Sequence, residues 1–336
     1  MTAAALPAQR TGGVAGVAGV AGTTLAALVA LAGIAVLAHR PGIAGSAPLW
    51  FWALVVAAWA FTWWANQRMS LLALPAGAAE RARDVAVPLL FGLTCFVLWE
   101  VVCVGAGVPL VLMPPPSAIL EKLVTSVPTL AADFNQTFVR AVIPGWALGS
   151  AAGFVVAVVA DRVPFLRRGL LPLGNFVSAL PIIGIAPIMV MWFGFDWHSK
   201  VGVVVVMTFF PMLVNTVAGL GASGHLERDL MRSYAAGSWD MLVKLRLPAA
   251  LPFIFNGLKI NSTLALIGAI VAEFFGTPIV GMGFRISTEV GRLALDMVWA
   301  EIVVAAIAGT LFYGAIALVE RAATFWHPSY RPARGR

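Results

Sequence analysis

Long hydrophobic runs, separated by short polar or basic stretches, dominate the chain. The hydrocarbon layer of a membrane is about 30 Å thick, so a helix that crosses it needs about 20 mostly apolar residues. Eight segments have this character, which predicts an all-α, polytopic membrane protein. The predicted spans are 14–38, 49–65, 86–104, 138–160, 170–193, 201–220, 254–275 and 300–319.

Composition and charge agree with this prediction. Hydrophobic residues make up 60% of the chain and charged residues only 11%, and the mean hydropathy is +0.92. The net charge of +7 could indicate a nucleic-acid partner, but the basic residues follow the loops between spans. Fifteen Lys and Arg residues fall in the loops of one side and five in those of the other. This bias predicts a cytoplasmic N-terminus and C-terminus and no nucleic-acid partner.

Several kinds of active site have no counterpart in the sequence. There is no Gly-x4-Gly-Lys-Ser/Thr loop that would hold a nucleotide phosphate, and no Cys/His cluster has metal-ligand spacing. Paired carboxylates at catalytic spacing are missing from the spans. We therefore expect no catalytic residue, no metal ligand and no cofactor bound by this chain, which indicates that it is not an enzyme.

The most polar extended stretch is DLMRSYAAGSWDMLVKLRLPAALP, residues 229–252. Leu226, Leu230 and Tyr234 recur every four residues with charged residues between them, which predicts about two turns of surface helix. The stretch lies between two spans in a predicted cytoplasmic loop. Exposed apolar side chains at this spacing are typical of a helix that docks into a groove of another protein, and also occur in ordinary interfacial loops.

The residues after this helix predict a turn and a second helix. Gly237 is expected to end the first helix, and Ser238 to cap the second. Pro248 is expected to stop the second helix before the next span begins. The stretch is therefore predicted to form a helix, a hinge and a helix on the cytoplasmic face.

This stretch resembles the cytoplasmic signature of permease subunits of binding-protein-dependent ABC importers, in which Glu-Ala-Ala, three residues, Gly and nine residues precede Ile-x-Leu-Pro. Aligned on Leu245-Arg246-Leu247-Pro248, the signature places Ala235 at the Gly position and Asp229-Leu230-Met231 at Glu-Ala-Ala. Gly237 is a substitute for the hinge glycine two residues later. Other stretches resemble the nitrate, sulfonate and taurine group of permeases across residues 86–328. They are LMPPPSAI (112–119), TFVRAV (137–142), ALPIIGIAPIMVMWFGFDWHSK (179–200), FFPMLVNTVAG (209–219), LPAALPFIFNGLKI (247–260) and VAEFFGTPIVGMGF (271–284).

The resemblance implies a type I ABC importer transmembrane domain of about six core spans, preceded by two extra N-terminal spans. The implied domains are an N-terminal extension at 1–85, a permease domain at 86–328 with a coupling segment at 225–248, and a basic tail at 329–336. The implied ATPase-coupling residues are Asp229, Leu230, Tyr234, Ala235, Gly237, Trp239, Leu245 and Pro248.

The resemblance also implies the partners and the cellular location of the protein. They are a cytosolic ABC ATPase dimer that binds Mg-ATP, a second copy of this permease, an extracytoplasmic substrate-binding protein and the lipids of the bacterial inner membrane. The implied solute is a sulfonate such as taurine, a nitrate-like anion, or a heterocycle related to pyrimidine or riboflavin. The residues of the chain do not identify which of these it is.

Polar or irregular positions inside spans are candidates for the solute pathway, because they are costly to bury without a partner. Pro181, Gly184 and Pro187 are expected to break the span at 170–193 near its middle. Asn residues in spans also bond neighbouring helices, Glu273 could hold an outer loop through Arg285, and Glu100 is expected to be solvated. The pathway candidates are Ser178, Pro181, Met189, Trp192, Asn215, Asn256, Asn261 and Glu273.

Two other functions compete with an ABC permease. A secondary transporter driven by an ion gradient would have inverted repeats and paired carboxylates within its spans, and the sequence shows neither. A channel or a membrane scaffold would have no use for the polar stretch at 229–252. Association with an ATPase distinguishes the first function from the other two.

Overall fold

The computed structural model describes residues 14–72, 78–178, 181–276 and 279–326, with the side chains of these residues apart from 14–21, 78–79, 171, 175 and 178. Within them every regular element is helical. Two π-helical segments, Asn135–Val142 and Leu242–Arg246, join α5 to α6 and α11 to α12. The α-helices are α1 (Val14–Ala38), α2 (Leu49–Ser70), α3 (Ala78–Gly105), α4 (Pro116–Thr125), α5 (Val127–Phe134), α6 (Ile143–Arg162), α7 (Pro164–Ser178), α8 (Ile182–Phe193), α9 (Trp197–Gly221), α10 (His225–Ser233), α11 (Ser238–Met241), α12 (Leu247–Glu273), α13 (Met282–Gly291) and α14 (Leu295–Ala323).

Six helical stretches among the described residues are long and apolar enough to cross a membrane. Two shorter apolar helices, Gly22–Ala38 and Ile182–Phe193, accompany them. The prediction of an all-α, multi-pass membrane protein is therefore confirmed. The six long stretches are Leu49–Ser70, Glu80–Gly105, Val127–Arg162, Trp197–Gly221, Ser238–Glu273 and Leu295–Ala323.

The region predicted as one span at 170–193 is divided between α7 and α8. Pro181 has an extended backbone, with φ −66° and ψ 122°, and lies immediately before α8. Because proline lacks an N–H and clashes with the preceding turn, it favours a helix start over a helix interior. The expected break at Pro181 is thus confirmed, whereas Pro187 lies inside α8 and does not break it. The side chain of Ser178, a pathway candidate, lies outside the described part of the structure.

Among the described residues, one compact unit comprises 14–72, 78–122 and 293–296. In it, Phe51 of α2 is fully buried in a cluster with residues of α1 and α3. The loop between α1 and α2 is fixed to the end of α3, because Gly45 N donates to Val104 O at 2.9 Å and Ala47 N to Gly105 O at 3.1 Å. Residue 85 lies inside α3, and the domain boundary placed there stays a prediction.

The second compact unit comprises the described residues within 123–292 and 297–326. In it, α6 packs on α9 along a stripe of three glycines spaced four residues apart, Gly145, Gly149 and Gly153. A Cβ atom at Gly145 would lie 2.6 Å from the side chain of Val204, and one at Gly149 would collide with Thr208. Small residues at this spacing let the backbones of membrane helices approach closely. This stripe therefore sets the distance between α6 and α9.

The polar stretch continues into the next span without interruption. α11, the π-helical segment and α12 form one helix from Ser238 to Glu273, 36 residues long. Leu247 N–H bonds Leu242 O, five residues back, so the preceding turn has π-type bonding where the N–H of Pro248 is missing. The expectation that Pro248 stops the second helix is wrong, since the wider turn accommodates it.

Candidate functional site

The surface helix α10 carries apolar side chains that the protein itself does not cover. None of its residues is buried. Leu226 is 86% exposed, Leu230 58%, and Tyr234, which follows the helix, 78%. Trp239 in α11 is 65% exposed, and the Arg162 guanidinium lies 5.1 Å from the centroid of its ring. These side chains form an exposed apolar row, which we call the docking row: Leu226, Leu230, Tyr234 and Trp239.

The turn after α10 is made by Ala235. Its φ is 51°, in the left-handed region that disfavours residues with a Cβ. Ala235 N donates to Arg232 O at 2.9 Å and Ala236 N donates to Met231 O at 3.0 Å, the bond pair of a Schellman motif. Ala235 therefore occupies the turn position at which the family signature has glycine.

Gly237 does not take over this turn. Its backbone is extended, with φ −67° and ψ 165°, and it is the N-cap of α11. The hypothesis that Gly237 replaces the hinge glycine is wrong, as is the expectation that Ser238 is the cap, because Ser238 is already the first residue of α11. A Gly at the turn position would have been the sequence signal, and this chain has Ala there.

Replacing Ala235 with Gly is expected to stabilise the turn. The left-handed conformation costs an alanine about 1 kcal/mol or more, and glycine adopts it without that cost, although it loses more entropy on folding. Amide hydrogen exchange at the end of α10 should slow by about threefold to fivefold. Ala236→Gly is the control, because Ala236 has no positive φ and should gain nothing. Equal effects of the two substitutions would contradict the assignment.

Arginine side chains attach α10 and the helix that follows it to the ends of two membrane helices. Arg246 donates to both carboxylate oxygens of Asp161, near the end of α6, at 2.6 and 2.7 Å. Its Nε also donates to Leu220 O, near the end of α9, at 3.0 Å. Arg228 Nη2 donates to Gly221 O at 3.1 Å. Bidentate pairs of this kind fix geometry strongly, so a displacement of this stretch would be passed to α6 and α9.

Some predicted pathway residues are exposed at the surface. Asn256 Nδ2 donates to Asn215 Oδ1 at 3.1 Å, and Asn215 Nδ2 donates to Pro211 O at 2.8 Å. Asn256 is exposed, and Trp192 is 70% exposed. Pro181 is exposed as well. The Asn215–Asn256 pair thus joins α9 to α12 and still presents an amide on the surface of α12.

Other predicted pathway residues are buried among neighbouring helices. Asn261 is fully buried, and its Nδ2 donates to Ser150 Oγ and to Thr208 O, both at 2.8 Å. It joins α12 to α6 and α9. Met189 is buried in a cluster that includes Val203. These positions hold helices together in the described structure.

Glu273 lies at the predicted outer end of α12 and is 2% exposed. Its carboxylate accepts from Thr137 Oγ1 at 2.8 Å and from Gly283 N at 2.7 Å. Thr137 Oγ1 accepts in turn from Met282 N at 2.8 Å. The N–H groups at a helix start lack partners within the helix, so Glu273 and Thr137 cap α13.

Asp133 completes this attachment and was not predicted from the sequence. It is fully buried and accepts from Gly281 N at 2.6 Å and from Arg285 Nε at 2.8 Å. The hydrogen bond to Asp133 raises the pKa of the Arg285 guanidinium, which stays charged. Glu273 therefore holds the outer loop as expected, but through Thr137 and backbone N–H groups, while Arg285 pairs with Asp133. The missed signal was an isolated acid in an apolar stretch.

A known family matches the region that contains these elements. The model of the family described as "Binding-protein-dependent transport system inner membrane component" matches residues 149–324. The chain belongs to this family. The matched residues include α9, the polar stretch and α12, so the exposed docking row is part of a permease.

Individual relatives extend the match. The permease is 30% identical over 251 residues to the formylaminopyrimidine transport permease protein of Halalkalibacterium halodurans, across 74% of this chain and 98% of that one. It is 26% identical over 237 residues to the riboflavin transport system permease protein of Chloroflexus aurantiacus (69% and 88%). It is 29% identical over 240 residues to the taurine transport system permease protein of Escherichia coli (69% and 86%). The prediction of an ABC importer permease of the nitrate, sulfonate and taurine group is confirmed.

Proposed function

We propose that two copies of this permease form the solute pathway of an ATP-binding-cassette importer in the bacterial inner membrane. Residues 225–248 would be the surface to which a cytosolic ATPase binds, with an extracytoplasmic substrate-binding protein on the opposite side. One observation carries the proposal: the docking row is exposed, and the same stretch is attached by Arg228 and Arg246 to the membrane helices. The alternation of basic loops supports a cytoplasmic place for this stretch and for both termini.

The coupling would be mechanical. Mg-ATP would be bound and hydrolysed by the partner, and this chain would receive only the resulting movement. When the ATPase dimer closes, α10 moves with the groove that holds it. Arg246 transmits this movement through Asp161 to α6 and through Leu220 O to α9. The two helices are closely packed along their glycine stripe, so they would move together.

The solute would pass along the exposed face of α12. The Asn215–Asn256 amide pair is available there for contact. Asn261 and Glu273 bond neighbouring elements within the protein, and we assign them a structural role. An amide pair suits a polar, uncharged or weakly charged solute that both donates and accepts hydrogen bonds.

Among the solutes in the names of the relatives, this chemistry favours a small heterocycle such as a formylaminopyrimidine or riboflavin. A sulfonate such as taurine or a nitrate-like anion remains the alternative, because a relative transports taurine by its name. Lys259 of α12 would be a natural anion ligand, but its Nζ lies 2.7 Å from Glu320 Oε2 and is neutralised there. Ligand measurements on the partner substrate-binding protein would separate the two classes.

Co-expression with an ABC ATPase from the same organism tests the function. The permease should copurify with the ATPase in a fixed ratio of two to two, and proteoliposomes should take up solute only with ATP and the binding protein. Uptake driven by an ion gradient in the absence of any ATPase would instead identify a secondary transporter. A permease that never associates with the ATPase, while remaining folded, would also overturn the proposal.

A further inference from the structure

A groove runs between α2 and α3 in the first compact unit. Its volume is about 290 Å³, near the lower end of the range for ligand sites. On α2 it extends from Trp59 to Ser70, and on α3 from Val87 to Leu98. Eleven residues of helix are about 17 Å long, close to half of a hydrocarbon layer about 30 Å thick. The groove therefore has the depth of one membrane leaflet, which the predicted orientation makes the cytoplasmic one.

The opposite end of α3, at the predicted outer side, is occupied by contacts within the protein. Glu100 is 8% exposed, so the expectation that it is solvated is wrong. Its carboxylate accepts from Ser117 N at 2.9 Å and from Ser117 Oγ at 2.7 Å. Ser117 is in the first turn of α4, where an anion satisfies N–H groups that lack partners in the helix. The polar groups of this end are thus engaged, in contrast to those of the groove.

The walls of the groove are apolar and aromatic. Trp59 and Trp63 lie one turn apart on α2, with ring centroids 6.2 Å from each other. Phe91 of α3 lines the groove as well, together with the aliphatic residues Val87 and Leu98. No charged side chain is among the described residues that line it. Aromatic ring faces attract cations, so these walls suit an alkyl chain and can accommodate a positively charged group.

The polar oxygens of the groove are hydrogen-bond acceptors. The hydroxyl groups of Thr62, Ser70 and Thr94 each donate to a carbonyl of their own helix, at 2.9, 2.8 and 2.7 Å. A hydroxyl has one hydrogen, so only its lone pairs remain for a ligand. Asn66 Oδ1 is buried and has no hydrogen-bond partner within the described structure. A buried acceptor of this kind is normally satisfied, so the groove fits a ligand that brings N–H or O–H groups.

We propose that this groove binds a phospholipid of the cytoplasmic leaflet whose head group carries a primary ammonium, as in phosphatidylethanolamine. The ammonium donates to Asn66 Oδ1 near the end of α2, and one acyl chain lies along Val87 and Phe91. An ammonium brings three N–H donors together with a positive charge, which matches both the acceptors and the aromatic walls. The lining residues lie outside the family match at 149–324, so the site gives this N-terminal region a function of its own.

Two other phospholipid head groups separate the contributions to binding. Phosphatidylcholine has the same net charge and would contact the aromatic rings, but its quaternary ammonium has no N–H to donate. Phosphatidylglycerol has hydroxyl donors and no cation. We therefore expect both to bind more weakly than phosphatidylethanolamine. Loss of one satisfied hydrogen bond corresponds to about threefold to tenfold in affinity.

Native mass spectrometry of the full-length permease in a mild detergent measures this preference. With equal amounts of the three lipids, phosphatidylethanolamine should be retained about threefold to tenfold more than the other two. Equal retention of all three would show a nonspecific lipid shell and overturn the proposal. A preference for phosphatidylglycerol would overturn the assignment of an ammonium group.

Replacing Asn66 with Leu tests the acceptor. The variant should retain phosphatidylethanolamine no better than phosphatidylcholine, and an apolar residue in a membrane helix is compatible with insertion. Asn135→Leu is the matched control, because Asn135 is an exposed asparagine in the second compact unit and should keep the full preference. An unchanged preference in Asn66→Leu would contradict the site.

The unmodified protein provides a measurement of location that needs no substitution. Cys95 is exposed and lines the groove, whereas Cys103 is buried. In detergent, phosphatidylethanolamine should slow the reaction of Cys95 with N-ethylmaleimide by about threefold, and phosphatidylcholine at the same concentration should slow it less. A rate at Cys95 that does not change with phosphatidylethanolamine would place the lipid elsewhere and refute the proposal.

Discussion

Replacing Tyr234 with Asp is expected to lower the amount of ATPase that copurifies with the permease by about tenfold or more. Tyr234 is 78% exposed, and none of the residues of α10 is buried, so the substitution should leave the fold intact. In the proposed complex the same side chain is an aromatic anchor, and such anchors carry most of the binding energy of an interface. The ATPase recovered by pull-down in detergent measures the effect, and ATP-driven uptake should fall in parallel.

A comparable substitution elsewhere on the predicted cytoplasmic side provides the control. Phe165, in the first turn of α7, is 82% exposed. Phe165→Asp introduces the same charge at a similar exposure outside the docking row, and ATPase recovery should stay near that of the unmodified protein. Trp239→Asp should resemble Tyr234→Asp, although it also removes the stacking with Arg162. If Tyr234→Asp and Trp239→Asp both retain the full yield of ATPase, the docking assignment is wrong.

The second large effect is expected at the close packing between α6 and α9. Replacing Gly149 with Leu would drive a side chain into Thr208 and into the backbone at Val205 O, which would lie 2.9 Å from the new Cβ. The two helices would have to separate, and we expect a loss of about 3 kcal/mol in stability. The apparent Tm in detergent should fall by about 6 °C or more, and transport should be abolished.

Gly314→Leu is the control for this substitution. Gly314 lies in α14, and a Cβ there would meet no atom within 4 Å. The two variants share the same gain in helix propensity, about 1 kcal/mol, so the difference between them isolates the packing at Gly149. A Gly149→Leu variant as stable as Gly314→Leu would show that the glycine stripe does not set the helix distance.

Hydrophobic runs were enough to predict most of the fold, because a membrane requires long apolar helices wherever the chain crosses it. They did not locate helix ends. The fifth predicted span began at residue 170, whereas α7 begins at Pro164. The fourth began at residue 138, whereas the helical stretch that contains it begins at Val127. That error placed Asp133 in an outer loop, and its buried pairing with Arg285 was missed. An acid at such a position is recognisable only when the span that contains it is correctly placed.

Proline and glycine positions predicted breaks better than they predicted conformations. Pro181 interrupts the helix as expected, but Pro248 lies within a continuous helix because a π-helical turn precedes it. The turn after α10 was expected at Gly237 and lies at Ala235, since the helix ends two residues earlier than glycine would indicate. Local propensity is a weak constraint where hydrogen bonds of neighbouring turns decide the ending. The position of Ala235 itself came from the aligned signature.

The continuous helix from Ser238 to Glu273 can transmit a tilt from one side of the membrane to the other. Its 36 residues correspond to a length of about 54 Å at 1.5 Å per residue. A tilt of about 5° at the end that carries Trp239 would displace the opposite end by about 5 Å over that length. That opposite end holds the start of α13 through Glu273 and Gly283. A small tilt of this helix at one side of the membrane would thus shift its end on the other side by several ångströms, because both ends belong to one continuous helix.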